Sequence, residues 1–144
     1  MEQHQLKEEI GYLIKQAGRI ASYHLDSKFE QAGFNITSEQ WGIIRLLWKE
    51  NGQTQQSLAF KLKKNKASIT SLVDNLEKKG YVVRTSNELD KRSKIVFLTD
   101  EGKEIWSQLN DIVDTSIRKA TDGVTDDELK ICTEVIKRMI RNVM

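Results

Sequence analysis

Between Lys66 and Lys78 a set of small hydrogen-bonding side chains, Ser68, Thr70, Ser71 and Asn75, is interleaved with Ile69, Leu72, Val73 and Leu76. The apolar residues recur at spacings of three and four, so on a helix they share one face and leave Ala67, Thr70, Ser71, Asp74 and Lys78 pointing outward. Serine, threonine and asparagine can bond a phosphate oxygen or a base edge, and a helix clothed in such short groups is slim enough to enter a major groove. Charge supports this locally. Residues 61–94 hold ten bases against four acids, a net of +6, whereas the whole chain carries +2 and the remainder therefore −4. Such a concentration is the footprint of a polyanion partner, whose counterions are released on association. A solvated lysine face is the simpler reading of a lone charge run, but here the run coincides with the slim helix and with a charged hairpin.

Residues 82–84 and 94–98 are rich in Val, Ile and Phe, and residues 86–90 between them are polar and turn-like. They read as a β-hairpin. A helix, a glycine (Gly80) and then a basic hairpin make the outline of a winged helix. Asp90 and Arg92 stand two apart at the tip, where the carboxylate is expected to aim the guanidinium. An aimed arginine can enter a minor groove, whose narrow A·T stretches concentrate negative potential. The alternative is an ordinary surface ion pair worth under about 1 kcal/mol.

The rest of the chain supplies helices to hold this unit, punctuated by glycine and never by proline. Residues 6–32 form an amphipathic run with Leu6, Ile10, Leu13, Ala17 and Ile20, ending at Gly33. Thr37 and Gln40 have capping-box spacing and open a helix bearing Trp41, Ile44, Leu47 and Trp48. Thr54 begins a short helix with Leu58, Ala59 and Leu62, close enough to the next for a helix-turn-helix. Thr99 can cap a helix reaching towards Gly123, and Thr125 with Glu128 opens a last one carrying Leu129, Cys132, Ile136, Met139, Ile140 and Val143. The fold class is therefore mainly α with a small β-hairpin wing. One domain over residues 1–144 is expected, with the winged helix-turn-helix at about 35–99 and helical dimerisation segments at 1–34 and 100–144.

Other classes are disfavoured. No stretch approaches the roughly 20 apolar residues of a membrane span, and the acidic and basic N-terminus lacks a signal-peptide core, so a cytoplasmic location without membrane partners is expected. A single cysteine, Cys132, leaves no internal disulfide, and with only His4 and His24 no metal cluster or cofactor is expected. Serine, histidine and aspartate form no recognisable catalytic arrangement, so no enzyme is expected. The terminal apolar stripes have no obvious partner within so small a body. Packing them against a second copy would form a homodimer and present two reading helices to one face of double-stranded DNA. Tyr12, Tyr23, His24, Trp41, Trp48 and Trp106 are candidates to line a pocket between the terminal helices and the reading domain, although their spacing is also that of buried helix faces. Cys132 lies on a stripe, where cysteine is usually an inert small hydrophobe.

The succession Gly80-Tyr-Val-Val-Arg84, Asp90-Lys-Arg92 and Leu98-Thr-Asp-Glu-Gly102 resembles the MarR family of bacterial transcriptional regulators, over nearly the whole chain. The resemblance implies a dimeric repressor on a pseudo-palindromic operator, often released by a small aromatic or anionic effector or by thiol oxidation. Its thiol-sensing branch uses a cysteine near the N-terminus, which this chain lacks. Ser71 and Asn75 stand where many members carry arginine, so the operator sequence of relatives does not carry over. The candidate DNA contacts are Thr54, Gln55, Lys64, Lys66, Ser68, Thr70, Ser71, Asn75, Arg84, Asp90, Lys91, Arg92 and Lys94, with Tyr12, Tyr23, His24, Trp41 and Trp48 as effector candidates. The alternative function is a winged-helix protein-interaction or non-specific DNA-coating module.

Overall fold

The computed structural model describes residues 2–90 and 92–144. Helix α1 (Gln3–Gln31) ends at Gly33, whose φ of +86° is a left-handed cap that any side chain would strain. Helix α2 (Ser38–Lys49) starts from the expected capping box: the Thr37 hydroxyl accepts the Gln40 N–H at 3.2 Å, and the Gln40 amide oxygen accepts the Thr37 N–H at 3.1 Å. Strand β1 (Gln53–Thr54) leads into α3 (Gln55–Leu62), α4 (Lys66–Lys78), β2 (Val82–Ser86) and β3 (Lys94–Leu98). Helices α5 (Asp100–Ala120) and α6 (Asp126–Val143) follow, the latter opened by the Thr125–Glu128 capping box.

The hairpin is part of a three-stranded antiparallel sheet of order β1-β3-β2, in which Val82 faces Leu98 and Gln53 faces Val96. The two-residue strand β1 was not expected, because two residues carry no alternation to read. It ties the start of α3 to the wing.

The core lies where α2, α3, α4 and the sheet meet. Ile43, Ile44, Leu47, Leu58, Ile69, Val73, Leu76, Val96 and Leu109 are fully buried, and truncating any of the leucines or isoleucines to alanine removes about 2–5 kcal/mol. The Leu-Thr-x-x-Gly segment acts as a joint. The Thr99 hydroxyl donates to the Gly80 carbonyl at 2.6 Å and accepts the Gly102 N–H at 3.1 Å, and the Thr99 N–H reaches the Tyr81 carbonyl at 3.1 Å. A Cβ on Gly102 would collide with that same Tyr81 carbonyl, so the close approach requires glycine.

By its contacts the chain divides into two compact units, Met1–Val113 and Asp114–Met144, with the division falling inside α5. In the first, Leu6, Ile10, Leu13 and Ile20 of α1 are exposed, and Phe29 alone of that helix is buried. In the second, α6 has no buried residue, and Leu129, Ile131, Val135, Ile136 and Ile140 are exposed. No described helix is long and apolar enough to cross a membrane.

Candidate nucleic-acid interface

Helix α4 is built as a reading helix. The Asn65 side chain caps it by accepting the Ser68 N–H at 2.8 Å, and Ile69, Val73 and Leu76 anchor it to the core. The opposite face presents Lys66, Ala67, Ser71, Asn75 and Lys78 to solvent. Before α4 the chain turns through Lys63, a left-handed residue with φ +55°, whose ammonium lies 4.3 Å from the centre of the exposed Phe60 ring.

Beside this face lies a polar network. The Arg84 guanidinium bonds the carboxylates of Asp74 and Glu77, the latter at 3.0 Å, while the Arg84 backbone N–H donates to the other Glu77 oxygen at 3.0 Å. Gln55 bridges onward, accepting from Arg84 at 3.4 Å and donating to the Thr70 hydroxyl at 3.1 Å. These hydrogen bonds from Arg84 hold the Glu77 carboxyl below its ordinary value, and the paired carboxylates raise the guanidinium further. The network links α3, α4 and β2 through side-chain bonds.

Four of the bases expected to supply the positive field are thereby tied into the fold. Arg84 is held by Asp74 and Glu77. Lys64 pairs with Glu39 at 3.1 Å. Lys61 lies 2.7 Å from the Gln53 amide oxygen and 3.4 Å from Glu50. Lys79 donates to the Asn35 carbonyl at 2.6 Å and to Gln40 at 3.0 Å, and burial lowers its pKa. Arg84 and Lys64, both expected as DNA contacts, thus each have a carboxylate partner within the fold. Gln55 and Thr70 are occupied with each other, and Thr54 caps α3 by accepting the Ser57 N–H at 3.0 Å. The free set is Lys66, Ser71, Asn75, Lys78, Arg92 and Lys94, all exposed. Ser68 lies half-buried beside them, and Lys91 lies outside the described residues.

The wing tip also differs from expectation. Asp90 accepts the backbone N–H of Arg92 at 3.0 Å, and among the described residues no Asp90–Arg92 side-chain ion pair forms. The carboxylate shapes the tip as an Asx turn and leaves the guanidinium free. Asn87 makes a second such bond, to the Leu89 N–H at 3.1 Å.

The effector candidates are not assembled into one pocket. Trp41 is buried and stacks on Trp106 with centroids 4.8 Å apart, and Trp106 stacks on Trp48 at 4.9 Å. The three indoles fill the space between α2 and the first half of α5. Tyr12 and Tyr23 are exposed and His24 is half-buried. An open cleft of about 380 Å³ is lined instead by Asp26, Glu30, Gly33, Phe34, Asn35, Ile36 and Thr37, and its two carboxylates disfavour an anionic occupant. Cys132 is exposed in the single chain, as are Leu129, Ile136 and Ile140 of the same stripe.

Sequence reasoning passed over Gln53 and Asn51, which position the wing. Buried Gln53 donates to the Leu46 and Glu50 carbonyls, both at 2.8 Å, and Asn51 accepts the Leu98 N–H at 2.8 Å. Only a polar pair beside Gly52 signalled them.

Comparison with known proteins places this geometry. Residues 36–94 match the model of the MarR family. An uncharacterized HTH-type transcriptional regulator of Bacillus subtilis, YkoM, is 30% identical over 116 residues, covering 81% of this chain and 74% of its own. The HTH-type transcriptional regulator MhqR of the same organism is 27% identical over 130 residues, covering 88% and 86%. The structure of reduced AbfR bound to DNA superposes with a TM-score of 0.81 at 25% identity, over 99% of this chain and 96% of that one.

Proposed function

This chain belongs to the MarR family of DNA-binding transcriptional regulators, and we propose that it acts as a homodimeric repressor on a pseudo-palindromic operator. Each copy seats α4 in a major groove and lays its wing tip along the adjacent minor groove. The observation that carries the reading is the division of labour around α4. Arg84, Gln55 and Lys64 are held within the fold, while Lys66, Ser71, Asn75 and Lys78 on α4 and Arg92 on the wing are left exposed. Short polar groups at Ser71 and Asn75 suit base edges, and the flanking cations suit phosphates. A structural neighbour, AbfR, is bound to DNA, which supports DNA as the partner here.

The exposed apolar rows of α1 and of α6 support the dimer, since a soluble monomer rarely leaves such rows uncovered. Two-fold symmetry then sets the reading helices about one DNA turn apart, roughly 34–36 Å. Release by a small effector belongs to the same reading. Because Trp41, Trp106 and Trp48 already occupy one another's faces, such an effector acts outside that stack.

The test is selection of bound duplexes from a randomised pool, followed by titration at several salt concentrations. A regulator enriches a bounded, inverted-repeat sequence and binds it about 10³-fold or more tighter than random duplex. Enrichment of no sequence, with equally salt-dependent binding to all duplexes, would instead mark a DNA-coating module.

A further inference from the structure

Leu89 is 97% exposed, the most exposed large apolar side chain among the described residues, and it sits at the tip of the wing. A leucine on a loose loop is unremarkable, but this tip is built. Leu89 donates its N–H to the Asn87 side chain at 3.1 Å, Arg92 donates its own to Asp90 at 3.0 Å, and the backbone bonds of Asn87 to the Ser93 carbonyl and of Ser93 to the Asp90 carbonyl, at 3.1 and 3.0 Å, close the base. The side chain is thus held outward at the hairpin tip, three residues before Arg92, in a conformation whose hydration is unfavourable until something covers it.

We propose that Leu89 is an apolar wedge that enters the minor groove beside Arg92 and presses between two base pairs, so that the wing reads the deformability of a step as well as its potential. The inference rests on the reading that the wing lies on DNA. The occupant is duplex DNA because Arg92 and Lys94 are exposed on the same hairpin; the residues adjoining Leu89 are the acids Glu88 and Asp90, and the Asp90 carboxylate is taken up by the Arg92 backbone N–H. Lys94 would anchor on a phosphate near the groove that Arg92 enters, while an inserted aliphatic group unstacks a flexible pyrimidine–purine step and bends the helix towards the major groove. Specificity for easily unstacked steps would then arise at positions where no base edge is bonded.

The experiment uses the full chain and the duplex enriched by wild type from a randomised pool, with 2-aminopurine placed at each step under the footprint of the wing. Wild-type binding should raise 2-aminopurine fluorescence at one step per half-site. Leu89→Ala should abolish that rise and weaken binding about tenfold, with the salt slope unchanged, because an aliphatic group releases no counterion. Leu89→Met should retain both. Arg92→Ala should weaken binding and lower the salt slope by about one. A full 2-aminopurine response in Leu89→Ala, at wild-type affinity, overturns the wedge while Arg92→Ala still shows the wing on DNA. If Arg92→Ala also binds as wild type with an unchanged slope, the wing is off the DNA and the docking reading fails with the wedge. Both variants should melt with wild type, since neither side chain is buried.

Discussion

Replacing Arg84 with methionine keeps the aliphatic stem and removes the guanidinium that joins the wing to the reading helix. Asp74 and Glu77 then face each other on one side of α4 without their shared cation, and Gln55 loses one of its two partners. Buried charged hydrogen bonds are worth about 1.5–3 kcal/mol each, exposed ion pairs about 0–1. The Arg84 side chain is 22% exposed, but Asp74 and Glu77 are 43% and 36% exposed. Solvent screening therefore holds the total near the lower range, about 1–2 kcal/mol. At fixed protein concentration this lowers Tm by roughly 2–8 °C for a chain of this size. The pH dependence gives a sharper check. Hydrogen bonds from Arg84 depress the Glu77 pKa below its ordinary 4.5, so the stability from this contact is fully present above that pH. It is lost as pH falls through the lower folded-state value. Wild type and Arg84→Met should therefore differ by a constant Tm between pH 6 and 8 and converge in acid below about 4.5. Differential scanning calorimetry across that range is the assay. A variant that melts with wild type at pH 7, or a gap that persists unchanged in acid, would refute the proposed clamp.

Ser71→Ala and Asn75→Ala should each reduce preference for the selected duplex by roughly 1–3 kcal/mol while leaving affinity for random duplex nearly unchanged. Lys66→Ala should weaken both and flatten the salt slope by about one; equal losses for all three variants in fluorescence anisotropy would oppose the assignment. Gly102→Ala should destabilise by about 1–3 kcal/mol, because the new methyl meets the Tyr81 carbonyl, whereas unaltered thermal melting would mean the joint can open without strain. Truncation before Thr125 should yield a monomer in sedimentation equilibrium with weak, sequence-blind DNA binding, and a stable truncated dimer would contradict the role given to α6.

Much of the fold was legible because local signals and the core agree. The i, i+3, i+4 row in α4 is the row that is buried, and the capping boxes at Thr37 and Thr125 both form. The wing followed from β-branched residues around a polar turn, and its register adds Thr85 and Ser86 to the first strand. The site was less legible because side-chain pairing depends on which elements meet. Counting charges along residues 61–94 could not reveal that Glu39 and Glu50, both on or just after α2, hold Lys64 and Lys61, or that Lys79 reaches a carbonyl 44 residues away. Arg84 looked like a free cation because Asp74 and Glu77 lie on a different element and align only once β2 packs against α4. Asp90 was expected to aim the Arg92 guanidinium, but its short side chain reaches the backbone N–H sooner, as Asx turns favour. The aromatic residues gave no warning of the indole stack, since each is spaced for burial within its own helix.

The central claim, that two copies of α4 and two wings grip one operator, is tested most directly by hydroxyl-radical and methylation footprinting of the full chain on the selected duplex. The prediction is a two-fold symmetric pattern, with two guanine-N7 protected major-groove windows about 10–10.5 base pairs apart and flanking minor-groove protection that disappears in Arg92→Ala. A single asymmetric protected block, or continuous protection without boundaries, would contradict it.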